Sequence, residues 1–422
     1  MNINIRERDA RLIWHPFTAS SNTPVLPVSS AMGSCLQLAD GRKLIDGISS
    51  WWVINHGHGQ PEIVAAIEGQ LRQLEQVIFA GFTHEPAVEV AESLDGMMGQ
   101  DRYWYFFSDN GSTAVEVALK IALQWHYLTG KPRTRFLALE GSYHGDTFGA
   151  MAASSRSIFT RPFEPMLCEV THIPLPTDDN HDLWLTQAVQ AVESGQVAAL
   201  IFEPGLQGAG GMRLYDLNCL DVLAQVCRAH GVLLIADEVL TGFGRTGVLF
   251  PSLPLQPDLM CFSKGLTGGF LPLGLTAIRR DLREVFNQSR QSAFFHGHSF
   301  TGNSLACAAA AASLRLFKQG QWSTEVRRIE SAHQAFCSKL NTFVCVHQPR
   351  VAGSILAFNL DEDLHYLNPF GSRVYDWCIQ RGVLIRPLGS VVYFMPPFCI
   401  TNSELEHVYE VLSDGLARNW QS

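Results

Sequence analysis

From Tyr103 onward, short apolar runs of four to six residues alternate with longer stretches whose apolar positions recur at helical spacing. The runs at 103–108, 136–139, 198–203, 232–237, 259–262 and 275–278 have the length and composition of strands. The segments between them predict helices from about Thr113, over 184–192 and over 219–229. Strands that are apolar throughout, with helices between them, predict a mostly parallel sheet covered on both faces. The Ala-rich run Ser304–Phe317 predicts a further helix, and Ile63, Ala66, Ile67, Leu71 and Leu74 predict one that begins at Pro61. Ahead of these lie a short N-terminal helix, strand-like pieces at 24–28 and 35–38, and a hairpin-type turn at Asp40-Gly41-Arg42. The expected fold class is α/β. A large domain spans 61–315, and a smaller α+β domain combines 1–60 with 316–422.

Composition narrows the function classes. A formal net charge of −9 with 17% charged residues argues against a nucleic-acid partner, which favours a basic face. The ten cysteines include no Cys-x-x-Cys pair and read as reduced core thiols. The N-terminus lacks the apolar stretch of a signal peptide, and no segment is long and apolar enough to span a bilayer. The expectation is a cytoplasmic enzyme of small molecules, with neither a nucleic-acid nor a membrane partner.

The candidate chemistry starts with Asp237-Glu238, which end the run Leu233–Ala236, and with Lys264 in Phe262-Ser263-Lys264-Gly265. A carboxylate and a lysine at the ends of neighbouring strands are what pyridoxal 5'-phosphate requires. The lysine forms a Schiff base with the aldehyde, and the carboxylate keeps the pyridine nitrogen protonated. Taken singly, each has an ordinary alternative: an acidic turn after a strand, and a surface lysine in a Gly-rich loop. A phosphate anchor is offered by Ser108-Asp109-Asn110-Gly111-Ser112-Thr113, which closes a strand and opens a helix. Thr113 and Glu116 also fit a plain capping box. Tyr143-His144-Gly145 follows another strand, where the aromatic either stacks on a pyridine ring or packs in the core.

Two decoys need separating. Gly242-Phe-Gly-Arg-Thr-Gly247 has dinucleotide-fingerprint spacing, but Pro251, Pro254 and Pro257 follow and forbid the helix that fingerprint must open. His56-Gly57-His58 has no further ligand at a familiar spacing, so no metal is expected.

Taken together the chain resembles the class III aminotransferases, pyridoxal-phosphate enzymes of fold type I. The resemblance is carried by Ser108–Ser112, Tyr143–Gly149, Glu203-Pro204, Leu234–Val239, Gly242–Gly247, Ser263–Gly265 and Thr301–Asn303, in family order over nearly the whole chain. Trp14–Thr18, Asp46–Trp52, Gln207–Met212 and Ile385-Arg386-Pro387 narrow it to the branch that aminates 8-amino-7-oxononanoate in biotin biosynthesis.

The resemblance implies a role for each residue. Lys264 carries the cofactor and moves the proton, Asp237 pairs with the pyridinium, and Tyr143 packs on the ring. Gly111 and Ser112 hold the phosphate, with His298 and Ser299 contributing from the other subunit of a homodimer whose active sites lie at the interface. Phe17, Trp51, Trp52 and Gly297 shape the substrate site, and Arg386 binds the substrate carboxylate. Phe17 stands where the branch usually has Tyr, and Gly297-His298-Ser299-Phe300 where users of S-adenosylmethionine commonly read Gly-Pro-Thr-Phe. Lysine therefore stands beside S-adenosylmethionine as amino donor. The alternative functions are a class III aminotransferase of ω-amino acids or polyamines and a non-catalytic ligand-sensing module.

Overall fold

A computed structural model describes residues 4–18, 25–177, 179–361 and 370–421. At its centre is a seven-stranded sheet: β1 (Tyr103–Ser108), β2 (Arg135–Leu139), β3 (Val170–Ile173), β4 (Val197–Phe202), β5 (Leu233–Asp237), β6 (Leu259–Phe262) and β7 (Gly274–Arg279). The spatial order is β1-β7-β6-β5-β4-β2-β3. β7 runs antiparallel to both neighbours, and the remaining pairings are parallel. Every residue of β4, β5 and β6 is buried, which is why these strands read as continuous apolar runs.

One face of the sheet is covered by α1 (Gly111–Leu128), whose Ala114, Ala118 and Ala122 share a core with Ala138, Ala199, Ile235 and Cys261. Small side chains on both surfaces let helix and sheet approach closely. The other face packs Leu200, Leu234 and Phe262 against Trp184, Leu223 and the buried stripe of α2 (Ser304–Gln319).

Among the elements the structure adds to those the pattern predicts, two stand out. β3 is a four-residue edge strand, Val-Thr-His-Ile, too short and too polar to stand out. The helix Glu85–Met98 starts at a His84 cap, whose ring nitrogen accepts from the Ala87 amide, instead of at one of the usual capping residues.

The N-terminal strand is Val28–Met32, displaced from the expected 24–28, and Pro24 lies outside the described residues. It continues through Cys35–Leu38 to Lys43–Asp46 as an antiparallel meander, turning where Gly41 adopts φ +92°. Lys43–Asp46 then pairs in parallel with Val383–Leu384. Cys35 and Ile45 therefore share one core with Ile329 of α3 (Gln321–Leu340), Phe358 and Val408.

Parallel pairing has one functional consequence. The carboxyl ends of β1, β2, β4, β5 and β6 all open on the same edge of the sheet. In an open α/β sheet that edge is where ligand crevices form.

Candidate active site

Above that edge lies a cavity of about 700 Å³, lined among others by Gly111, Ser112, Tyr143, Asp237, Lys264 and Trp52. They arrive from four strand ends, Gly111 and Ser112 together after β1, and from the N-terminal segment, so the fold assembles them from a chain span of more than two hundred residues. Lys264 follows β6 in a single left-handed residue, φ +45°, and its ammonium nitrogen lies 4.7 Å from the centroid of the Trp52 ring. Burial lowers its pKa from 10.5 to about 8, against the opposing pull of Asp237 and Glu203.

Asp237 ends β5. One carboxylate oxygen is 2.7 Å from His144 Nδ1, and the other accepts the Val239 amide at 3.1 Å. A carboxylate only accepts, so Nδ1 carries the shared proton. His144 Nε2 is buried and has no partner among the described residues. Glu203, just after β4, accepts from the backbone amides of Tyr143 (2.8 Å) and Gly208 (2.7 Å). Burial raises its pKa from 4.5 to about 7. It thereby fixes the backbone from which Tyr143 projects.

The start of α1 differs from the expected capping box. Asn110 is the cap, accepting from the Thr113 amide, and the box closes on the Thr113 hydroxyl rather than on Glu116. Glu116 instead accepts from Thr147 Oγ1 and from the amides of Gly149 and Ala150, capping the short helix Phe148–Ala153. Ser112 Oγ meets Thr147 Oγ1 at 2.9 Å.

Space around this helix start is tight. A Cβ on Gly111 would come within 2.7 Å of the Val239 side chain, and Gly145 adopts φ +133° against the Ser112 side chain. With the Asn110 side chain on the Thr113 amide and the Asn110 carbonyl on that of Ala114, the amides of Gly111 and Ser112 remain for an anion beside the cavity.

The residues expected on the substrate side split. Trp52 is buried, and its indole N–H donates to Tyr393 OH at 3.0 Å. Trp51 is more than a third exposed, packed edge-on to Phe17 at 5.6 Å with the Arg386 guanidinium 5.3 Å from its ring centroid. Both tryptophans stand on a left-handed turn: Ser49, Ser50, Trp51 and Trp52 have φ of +49°, +49°, +84° and +74°. Such a conformation costs roughly 1–2 kcal/mol for each non-glycine residue. Gly297, His298 and Ser299 are not among the residues that line this chain's cavity, and neither are Phe17, Trp51 and Arg386; His298 accepts from the Phe300 amide and Gln76 donates to the Ser299 carbonyl.

The two decoys also acquire partners. Arg245 of Gly242–Gly247 is buried and donates to the carbonyls of Ile54 (2.9 Å) and Pro396 (2.8 Å), its pKa lowered by burial to about 9. His56 meets Ser313 Oγ at 3.1 Å, and His58 meets Asp46 at 2.8 Å.

His144, Glu203, Glu116 and Thr147 were not marked as site residues by the sequence. Each acts through a partner at least 31 residues away, a distance at which spacing carries no signal.

The family model described as aminotransferase class-III matches residues 17–416, and the chain belongs to that family. It is 48% identical over 417 residues to the adenosylmethionine-8-amino-7-oxononanoate aminotransferase of Synechococcus elongatus, covering 96% of this chain and 98% of that one. The protein of the same name from Corynebacterium glutamicum is 36% identical, covering 97% and 98%. Among solved structures, the enzyme of that name from Methanocaldococcus jannaschii superposes with a TM-score of 0.92 at 30% identity, covering 98% of each chain. An amine transaminase from an uncultivated Pseudomonas species, in a PLP-bound form, gives 0.88 at 30% identity, covering 96% and 98%.

Proposed function

We propose that this chain is a pyridoxal-phosphate-dependent aminotransferase that moves an amino group from S-adenosylmethionine to 8-amino-7-oxononanoate, giving 7,8-diaminononanoate for biotin synthesis. The observation that carries the reading is the convergence of Lys264, Asp237 and the α1 start on one cavity lined also by Trp52, whose chain neighbour Trp51 packs beside Arg386. The relatives' shared name supports the substrates.

The residues fit the cofactor. The amides of Gly111 and Ser112 and the Ser112 hydroxyl suit its phosphate, and Asp237 suits its ring nitrogen. Tyr143, with its backbone held by Glu203, supplies an aromatic face for the ring. When bound, pyridoxal phosphate supplies an aldehyde that carries the nitrogen between substrates and a ring that takes up the electron pair left on deprotonation. Lys264, its pKa lowered to about 8, exists partly as the neutral amine near neutral pH. Its Nζ takes the proton from the donor carbon in the first half-reaction and returns one to the acceptor carbon in the second. Trp52 walls off the amine from solvent, and Arg386 receives the acceptor carboxylate, leaving the aliphatic chain to lie along Trp51.

We take the working unit to be a cytoplasmic homodimer, in which His298 and Ser299 complete the partner's phosphate site. That neither lines this chain's own cavity supports the reading of a dimer, as do ten free thiols for a reducing compartment. We divide the chain into 61–315 and 1–60 with 316–422, supported by the Lys43–Asp46 pairing with Val383–Leu384.

The test is a half-reaction. S-adenosylmethionine alone should convert the lysine-bound visible band of the holoenzyme to the aminated cofactor's band, and oxononanoate should restore it. Conversion by lysine alone would reassign the donor. Conversion by neither would favour an ω-amino acid or polyamine substrate, with Trp51 and Trp52 then plain core aromatics.

A further inference from the structure

The left-handed turn Ser49–Trp52 needs something to hold it, because serine and tryptophan gain nothing intrinsic from positive φ. Asp46 sits one turn upstream with no exposed surface. One of its carboxylate oxygens accepts the Ser50 amide at 2.9 Å, and the other accepts the Ser50 hydroxyl at 2.7 Å. The second oxygen also lies 2.8 Å from His58 Nε2, which is itself 3.4 Å from Ser50 Oγ. His58 is fixed in turn through its backbone, which exchanges two hydrogen bonds with Gly33. Buried Asp46 and half-buried Ser50 and His58 thus form a knot around the second residue of the turn, the one just before Trp51.

The two tryptophans depend on this knot unequally. Trp52 is tied from its far end by the Tyr393 hydroxyl and is buried, so it keeps its place if the knot loosens. Among the described residues Trp51 has no such second side-chain anchor: its ring neighbours are Phe17 and the guanidinium of Arg386. What places Trp51 is the backbone direction that Ser50 imposes.

We infer that Asp46 is a positioning residue for acceptor recognition: through Ser50 and His58 it holds the left-handed turn that presents Trp51 beside Arg386. The role assigned to Trp51 and Arg386 rests on the function proposed above. The knot itself is defined by its geometry alone.

The test compares Asp46→Asn, and Asp46→Asn combined with Ser50→Gly, in the holoenzyme. Asparagine keeps one acceptor but presents an amide N–H₂ where the Ser50 hydroxyl and His58 need an oxygen. Glycine adopts positive φ without a side-chain clash, so it should hold the turn with less help. In Asp46→Asn the acceptor KM should rise about tenfold, the loss of a charge-assisted hydrogen bond expressed at the substrate. The rate of the donor half-reaction should stay within about twofold, and the near-ultraviolet circular dichroism of the tryptophans should change. The double variant should recover most of the acceptor KM.

A purely structural role predicts otherwise: donor and acceptor parameters fall together with melting temperature, and glycine makes matters worse. That result overturns the inference, as does an unchanged tryptophan signal. If wild-type enzyme does not turn over oxononanoate at all, the proposed function fails. The dichroism of the two variants then still decides whether Asp46 holds the turn.

Discussion

His144 Nδ1 and Asp237 Oδ2 stand 2.7 Å apart, with side chains 0% and 5% exposed. The imidazole donates here, so it orients the carboxylate that, in the proposed function, faces the ring nitrogen of the cofactor. Replacing His144 with Phe keeps an aromatic of similar size and removes the donor. A lost hydrogen bond to a charged group amounts to about 1.5–3 kcal/mol, so kcat should fall about ten- to a hundredfold while cofactor remains bound. Steady-state rates together with the visible cofactor spectrum check this, and an unchanged kcat would remove His144 from the mechanism.

The lowered pKa of Lys264 gives a pH dependence with a definite sign. Capture of pyridoxal phosphate by the apo-protein needs the neutral amine, so its rate should climb to about pH 8 and then level off, well below the ordinary lysine value of 10.5. Linkage gives a second reading of the same shift. Between about 8 and 10.5 the unfolded chain binds a proton that the folded apo-protein has released, so stability should rise with pH across that window. Lys264→Met should abolish both the capture and that increment. Stopped-flow capture rates and denaturant titrations at several pH values measure the two effects.

Arg386 is within 5.3 Å of the Trp51 ring centroid, and its planar fork suits a carboxylate. Arg386→Ala should raise the acceptor KM about ten- to a hundredfold and lower kcat much less. Arg386→Lys should fall between, keeping the charge and losing the two-pronged contact. Equal losses in kcat and kcat/KM would instead place Arg386 at the reacting centre.

Arg245 shows what the Gly242–Gly247 motif does in this fold. Its guanidinium joins the carbonyls of Ile54 and Pro396, and its own carbonyl accepts the Ser354 amide at 3.0 Å. Arg245→Met strands two buried carbonyls at about 1–3 kcal/mol each, partly offset because no charge need then be buried. A net loss on the order of 2 kcal/mol should appear as a lower denaturation midpoint. The cofactor spectrum of the remaining folded enzyme should change little.

Much of this protein is determined locally and was legible as such. The runs ending at Phe202, Asp237 and Phe262 form strands because four to six consecutive apolar residues have a natural place in a sheet buried on both sides. Lys264, Asp237 and Gly111-Ser112, which the fold brings to one cavity, stood out as candidates because the chemistry expected of them depends on residue type next to a strand end. The short edge strand β3 was not legible, since half of its four residues are polar.

Other features depend on tertiary structure, because they join groups that no spacing relates. Glu116 has the sequence position of a capping residue for its own helix, yet it caps Phe148–Ala153 because packing brings that helix start within reach. His144 reaches Asp237 across 93 residues, and Asp46 holds an unfavourable turn only because burial leaves its carboxylate no better partners than Ser50 and His58. Strand ends and residue types are set by short-range periodicity. The pairing of buried polar groups is set by which of them the completed core brings together.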